Sequence, residues 1–389
     1  MKKAWTARTA APVVASPLLV NGALIVADAG GSVYCFDART GDERWRRADP
    51  IEQWREHGAA FCLPPAVWND WVFVEAARGL QVHDVRSGDL VRGLDDDGCP
   101  TVVGNLLLVH GLNAGIRAFR LPDLTLVWSK GWSGWMRVSP AISEEGTAYA
   151  ALGFEEQHTH GGLLAFDPAT GEEMFHRNDA YEGCPLRQIE GAEDWLTFSP
   201  VHPVVGEGLV WLPRDRGHSD EGHDPGPWNA LEIVGLDPRT GEDRWCHRLD
   251  PTLESYAAGA VAVADGTVYL GAALCGEPTP SMESDATLVL HAIDIPSNTT
   301  RWTRVLQGLA AAPEVDGGVV YTATDLGEVS ALDAATGDVL WAAETGAKIS
   351  HPHAFVEEPS DSYDEGGAAV LKADEMLYVR TDAGVVALR

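Results

Sequence analysis

No stretch of this chain approaches the roughly twenty consecutive apolar residues that a membrane-spanning helix needs, although 45% of its residues are hydrophobic. A helical membrane span is not expected. Its six cysteines, Cys35, Cys62, Cys99, Cys184, Cys246 and Cys275, are never adjacent and never spaced as CxxC. They read as reduced and mostly buried thiols rather than a disulfide framework. Basic residues are scarce, with 28 Lys and Arg against 58 Asp and Glu and a net charge of −30. That balance argues against nucleic acid and anionic lipid, which require basic surface. The helical zinc motif HExxH and the GxSxG nucleophile elbow are both missing, which removes support for those two hydrolytic classes. Behind Met1-Lys2-Lys3 there is no seven-residue apolar stretch, so no secretory signal is expected and the cytoplasm is the expected compartment.

What is present is a repeat. A nine-residue phrase of Asp, then Thr or Ser and Gly, then an aromatic residue recurs as Asp37-Thr40-Gly41 with Trp45, Asp167-Thr170-Gly171 with Phe175, Asp237-Thr240-Gly241 with Trp245, and Asp333-Thr336-Gly337 with Trp341. Asp84-Ser87-Gly88 keeps the phrase but ends in Arg92. Two weaker copies fill the gaps: Asp294-Ser297-Asn298 with Trp302, and Arg120 to Trp128, which keeps only the spacing and the Trp. Physically the phrase is a hairpin: Asp accepts from the turn backbone, Gly or Asn takes the left-handed conformation, and a strand leaves through the aromatic residue. Two shorter apolar runs precede each hairpin, as in Leu18-Leu19-Val20 and Leu24-Ile25-Val26 around Asn21-Gly22. Each unit therefore has four strands.

The two chain ends supply an eighth unit. Residues 367–389 contain three strands and stop, while Ala4-Trp5-Thr6-Ala7-Arg8 resembles the outer strands Arg44-Trp45-Arg46-Arg47 and Arg301-Trp302-Thr303-Arg304. A ring closed by pairing first and last strands leaves no open sheet between its ends. The expected fold is all-β, a single domain over 1–389 forming an eight-bladed β-propeller of four-stranded blades. Residues 1–10 give the outer strand of the last blade, with blades at about 11–48, 62–94, 98–130, 138–177, 199–249, 258–306, 310–345 and 367–389.

The pattern apolar-Asp-x-x-Thr-Gly-x-x-x-Trp, repeated about once per blade over nearly the whole chain, resembles the PQQ-like propeller repeat. That repeat is shared by quinoprotein alcohol dehydrogenases and by the propeller lipoprotein of outer-membrane protein assembly. The resemblance implies that the repeat Trp residues dock between neighbouring blades. It also implies, for the dehydrogenases, an adjacent Cys-Cys pair under the cofactor, a calcium site and an export signal, and for the lipoprotein an apolar leader ending in Cys. This sequence has none of the Cys-Cys, export-signal or leader features, so PQQ is not expected as a cofactor.

Departures from the minimal repeat fall on one side of the ring. Connections between blades and between second and third strands open on one face, and these are long at Asp49 to Phe61, Gly131 to Arg137, Asn178 to Phe198, Gly346 to Gly367, Gly153 to Gly162, Pro213 to Asn229 and Ala272 to Ala286. Loops on a rigid scaffold usually carry function. Trp54, Trp132, Trp135, Trp195 and Trp228 fall in these insertions, where they either wall a pocket or plug the blades. His158, His160, His218, His223 and His351 share the face as acid–base candidates, with Arg214 and Arg216 as anion holders. In the segment from Arg214 to Asp224, the side chains His218, Asp220, His223 and Asp224 offer a divalent metal site, and His158-Thr159-His160 offers a second ligand pair. Inner-strand entrances collect Ser16-Pro17, Cys62, Cys99-Pro100, Ser139-Pro140, Ser199-Pro200 and His351-Pro352, where Pro is tolerated as a strand start.

Two functions fit this reading. The first is a cofactor-independent lyase, isomerase or cyclase acting on a small molecule or peptide in the loop-decorated funnel. The second is a non-catalytic scaffold gripping a protein partner with the same aromatic-rimmed face.

Overall fold

The structure, a computed structural model, describes residues 1–48, 64–76, 79–95, 98–111, 115–132, 138–153, 161–178, 193–198, 201–219, 230–249, 255–257, 259–274, 287–308, 312–349 and 369–389. Eight antiparallel sheets form a ring. Blade 1 comprises Leu18–Val20, Ala23–Ala27, Ser32–Asp37 and Glu43–Ala48, from the inner to the outer strand. Blade 2 comprises Ala66–Trp68, Trp71–Ala76, Gly79–Asp84 and Leu90–Leu94. Blade 3 runs through Cys99–Val103, Leu106–Gly111, Gly115–Arg120 and Thr125–Lys130, and blade 4 through Ala141–Ile142, Ala148–Gly153, Gly161–Phe166 and Glu173–Asn178. In blade 7 the strands are Glu314–Asp316, Val319–Ala323, Glu328–Asp333 and Val339–Glu344.

Blades 5 and 6 depart from the four-strand plan because their second strands are long. Leu209–Ser219 outruns the inner strand Val204–Gly206, and its far end is covered by a separate strand, Glu193–Phe198. Thr267–Leu274 is likewise paired by both Ala262–Ala264 and Ser255–Ala257. The remaining strands are Ala230–Leu236 and Asp243–Arg248 in blade 5, and Thr287–Asp294 and Thr299–Gln307 in blade 6. Blade 8 joins Val370–Ala373, Met376–Thr381 and Gly384–Leu388 to the N-terminal strand Lys3–Arg8, with Trp5 opposite Ala387. Reciprocal backbone bonds between Lys2 and Arg389 at 2.7 and 2.8 Å finish the seam.

The apolar residues serve two neighbours at once. In the third strand of blade 1, Val33 and Cys35 pack toward blade 2, while Tyr34 and Phe36 pack toward blade 8. Because side chains alternate across a strand, a continuous apolar run is what a sheet buried on both faces requires. The hydrophobic interior is correspondingly divided into layers, each formed mainly between two adjacent blades.

One contact recurs at these junctions. The outer-strand Trp donates its indole N–H to the carbonyl just after the turn Asp of the next blade: Trp5 to Ala38 at 3.2 Å, Trp45 to Val85 at 2.8 Å, Trp128 to Pro168 at 2.9 Å, Trp245 to Ile295 at 2.9 Å and Trp302 to Ala334 at 3.0 Å. Trp5, Trp45, Trp128 and Trp302 also lie on the turn Gly, whereas the turn that Trp245 meets has Asn298 there, with φ +54°. Phe175 has no such donor. There the Tyr149 hydroxyl, from the second strand of the same blade, donates to the Pro238 carbonyl at 2.8 Å instead. Between blades 2 and 3 the aromatic position is held by Arg92, whose guanidinium donates to the Asp123 carbonyl at 2.6 Å. The turn it meets has Leu124 at the Gly position, with φ +57°.

The turns are held by their Asp carboxylates. Asp37 accepts from the backbone N–H groups of Arg39 and Thr40, and Arg44 pairs with its second oxygen at 2.8 Å. The Arg44 hydrogen bond pulls the Asp37 carboxyl down to about 2. Ser297 and then Arg301 do the same for Asp294, also to about 2.

Two outcomes are expected. Gly88 has φ +71°, and a methyl there would lie 2.5 Å from Trp45, whereas Gly22 has φ +69° and open space around it. Gly22→Ala should cost about 1–2 kcal/mol for its backbone conformation, and Gly88→Ala should add about 1–3 kcal/mol of overpacking, read by urea unfolding. Equal losses would remove the docking account. Second, burial, followed by the nearby His247, holds the His291 imidazole down to about 4. Its folded pKa is below the usual value, so its contribution is present above about 6.5 and is lost as pH falls toward 4. Asp37 and Asp294 continue the loss from about 3.8 downward. Urea midpoints should therefore fall steadily from pH 7 to pH 2, and His291→Leu should flatten the part between pH 6.5 and 4.

Candidate functional site

On the face where inner strands begin and second strands end, the structure buries polar side chains. The set includes His110 at the end of its strand, directly opposite Cys99, together with Arg214, Glu232 and Arg380. Cys99 Sγ lies 3.1 Å from Ser139 Oγ in the next blade. His202, one blade further on, is hydrogen-bonded to the Ser139 backbone, and burial lowers its pKa. Cys99, Ser139 and His202 each precede a Pro that opens or leads into an inner strand. The same Xaa-Pro signal that marks Cys99-Pro100 and Ser139-Pro140 would have found His202-Pro203.

Arg214 is placed differently from the sequence expectation of an anion holder. It is 5% exposed and sits opposite Glu232 in the strand register. Its Nη2 and Nε donate to Glu232 at 2.9 and 3.2 Å, and its Nη1 donates to Asp243 at 2.8 Å. Asp243 also accepts from Arg177 of blade 4 at 2.6 Å. Burial opposes the charge on Arg214, but the two carboxylates outweigh it and raise its pKa. This is an internal ion network joining two blades. Burial and then Glu232 push the thiol of Cys246 beside it up to about 11.

Trp132 is likewise placed as a plug rather than a pocket wall. Its ring packs on Phe166 and Trp128 at 5.5 and 6.4 Å between centroids, and its indole N–H donates to Glu173 at 3.1 Å. The expected loop from Pro213 is corrected too, because the strand continues through Ser219 and so contains Arg216 and His218. Trp195 lies in the covering strand, opposite Gly217, with Asp194 opposite His218. Residues 193–198 read as an insertion because their run is short, yet Trp, Leu, Thr and Phe suit a pleated surface once a long neighbour offers an edge. His158, His160, His223, His351, Trp54, Trp135, Trp228, Asp220 and Asp224 lie outside the described residues.

Among the described residues no group of three or more His, Cys, Asp and Glu is set to hold a metal ion. The cysteines described, Cys35, Cys99 and Cys246, are free and belong to three different blades. They do not provide the adjacent pair that the quinoprotein resemblance implies. Among the described residues no helix is long and apolar enough to cross a membrane.

Ring, repeat and docking contact define a β-propeller of the PQQ-like class. The family model described as outer membrane protein assembly factor BamB matches residues 2–91 and 230–389, and the chain belongs to that family. It is 26% identical over 222 residues to the outer membrane protein assembly factor BamB of Yersinia pestis, covering 56% of this chain and 50% of that one. It is 28% identical over 202 residues to the serine/threonine-protein kinase AfsK of Streptomyces griseus, covering 49% of this chain and 20% of the kinase. The matches thus span a fifth to a half of the length of the curated relatives. Among solved structures, BamB from Moraxella catarrhalis superposes with a TM-score of 0.63 at 14% identity, covering 99% of this chain and 98% of that one. Quinohemoprotein alcohol dehydrogenase from Comamonas testosteroni gives 0.66 at 16% identity over 99% and 75%. Both show the fold alone.

If Arg214 is structural, Arg214→Ala should leave Glu232 buried without its cation and cost about 3–5 kcal/mol in urea unfolding. An unchanged midpoint would return Arg214 to the list of ligand-binding candidates.

Proposed function

We propose that this protein is a non-catalytic scaffold that grips another protein on the loop-bearing face of its ring. Membership of the BamB family carries the reading. The placement of Arg214 and Trp132 supports it, because two side chains assigned to a substrate pocket instead serve the frame: Arg214 pairs with Glu232 and Asp243 inside blade 5, and Trp132 packs on Phe166 of the next blade. The family model falls silent between residues 91 and 230, a stretch that contains four of the seven long insertions. A scaffold whose frame is shared and whose partner differs would vary in such a place. The acid–base reading loses one of its anion holders and has no independent support among the described residues.

Trp54 and Trp228 would then act as contact aromatics, the residue type that dominates interface energetics. A photo-reactive benzoylphenylalanine at position 228 should form a defined adduct with one protein in cells, and one at Asp42 on the opposite turn face should not. Trp228→Ala should weaken that capture by about tenfold or more. Equal adducts from both faces, or none from either, would remove the scaffold reading.

A further inference from the structure

Every outer strand is a sheet edge carrying unpaired backbone groups, a liability that proteins usually mask with charge. Blades 1, 5 and 6 do so: Arg44, Arg244 and Arg301 stand just before the docking Trp, and each pairs with its own turn Asp at 2.8, 2.9 and 2.9 Å. Blade 2 lacks the device, as do blades 3, 4 and 7, where Val127, Met174 and Leu340 stand in its place; blade 2 alone among these also lacks the aromatic residue. Its outer strand Leu90–Leu94 has Leu90 and Val91 exposed at 58% and 45%, no acidic residue, and no docked ring, because Arg92 occupies that position. Around Gly93 there is open space. Leu126 and Val127 extend the apolar surface on the outer strand of blade 3, exposed at 51% and 37%.

Charge selects the occupant. Asp89 and Asp95 flank the strand, and both are exposed. Antiparallel pairing with a second copy, centred on Arg92, would set Arg against Arg and bring Asp89 toward Asp95, and like charges across a pair are destabilising. Each copy also carries a net −30. A foreign segment meets neither objection if its own charges are complementary.

We propose that the outer strand of blade 2 receives an extended segment of another protein, apolar at its centre, with a carboxylate facing Arg92 and basic residues at both ends facing Asp89 and Asp95. Backbone pairing along the edge would supply affinity, and the flanking charges would set register. The inference rests on the scaffold reading but concerns the rim of the ring rather than its loop face.

The test uses the full chain and a labelled peptide, Lys-Lys-Val-Val-Glu-Val-Val-Lys-Lys, whose Glu faces Arg92 when its second and eighth residues face Asp95 and Asp89, followed by fluorescence anisotropy. It should bind about tenfold or more tightly than a version of equal charge in which alternate apolar residues are Pro, which cannot pair along an edge. Val91→Lys should weaken binding by about tenfold. Leu340→Lys, which adds the same charge at the matching exposed position of blade 7 (53% exposed), should leave it unchanged. Both substitutions are on exposed side chains, and thermal unfolding should confirm intact folds. Equal binding of the two peptides, or equal weakening by the two variants, overturns the assignment. So does a dimer in sedimentation that Val91→Lys dissolves, which would give the strand to a second copy. A peptide that fails to bind leaves the cross-linking result at position 228 standing, so the two ideas fail separately.

Discussion

The ring depends on one contact: an outer-strand aromatic ring laid against a turn glycine of the next blade, with a hydrogen bond to the carbonyl beside it. A blade alone would expose both apolar faces of its sheet, and only a neighbour on each side removes them from water. The docking contact sets the angle and height at which that neighbour arrives. Its substitutions follow its logic. Phe175 keeps the ring against Gly241 and hands the hydrogen bond to Tyr149, whereas Arg92 gives up the ring and coincides with Leu124 where Gly would otherwise stand. Closure through Lys3–Arg8 lets Trp5 make the same contact on blade 1 across the seam.

Charge is organised by the same frame. Turn carboxylates are spent on their own backbone N–H groups and, in blades 1, 5 and 6, on an arginine seven residues later. In blade 5 the buried Arg214–Glu232 pair continues through Asp243 to Arg177 of blade 4. The large net negative charge therefore coexists with a ring in which Arg214 and Arg177 fasten the frame from within. This explains why a reading based on residue type alone took Arg214 for a ligand-binding group.

The propeller supplies a rigid ring with two kinds of contact surface: loops on one face, and sheet edges around the rim. Blade 2 stands apart at the rim in having Arg92 where the other blades carry an aromatic lock, on a strand that exposes Leu90 and Val91. The family match resumes only at residue 230, so the most individual part of this molecule begins beside that strand.

Architecture was legible in the amino-acid order because a repeat states the same local instruction many times. Asp, Thr and Gly at fixed spacing force a turn, alternating apolar residues force a strand, and the chain ends match as two parts of one unit. Individual roles were not legible, since they depend on which neighbour a side chain meets. Nothing local distinguishes Trp132 packed on Phe166 from a Trp lining a pocket, or Trp195 in a loop from Trp195 in a strand that needed Leu209–Ser219 to outgrow its inner partner. Tertiary structure alone decided those, because pairing and burial are properties of two segments and a sequence describes each of them singly.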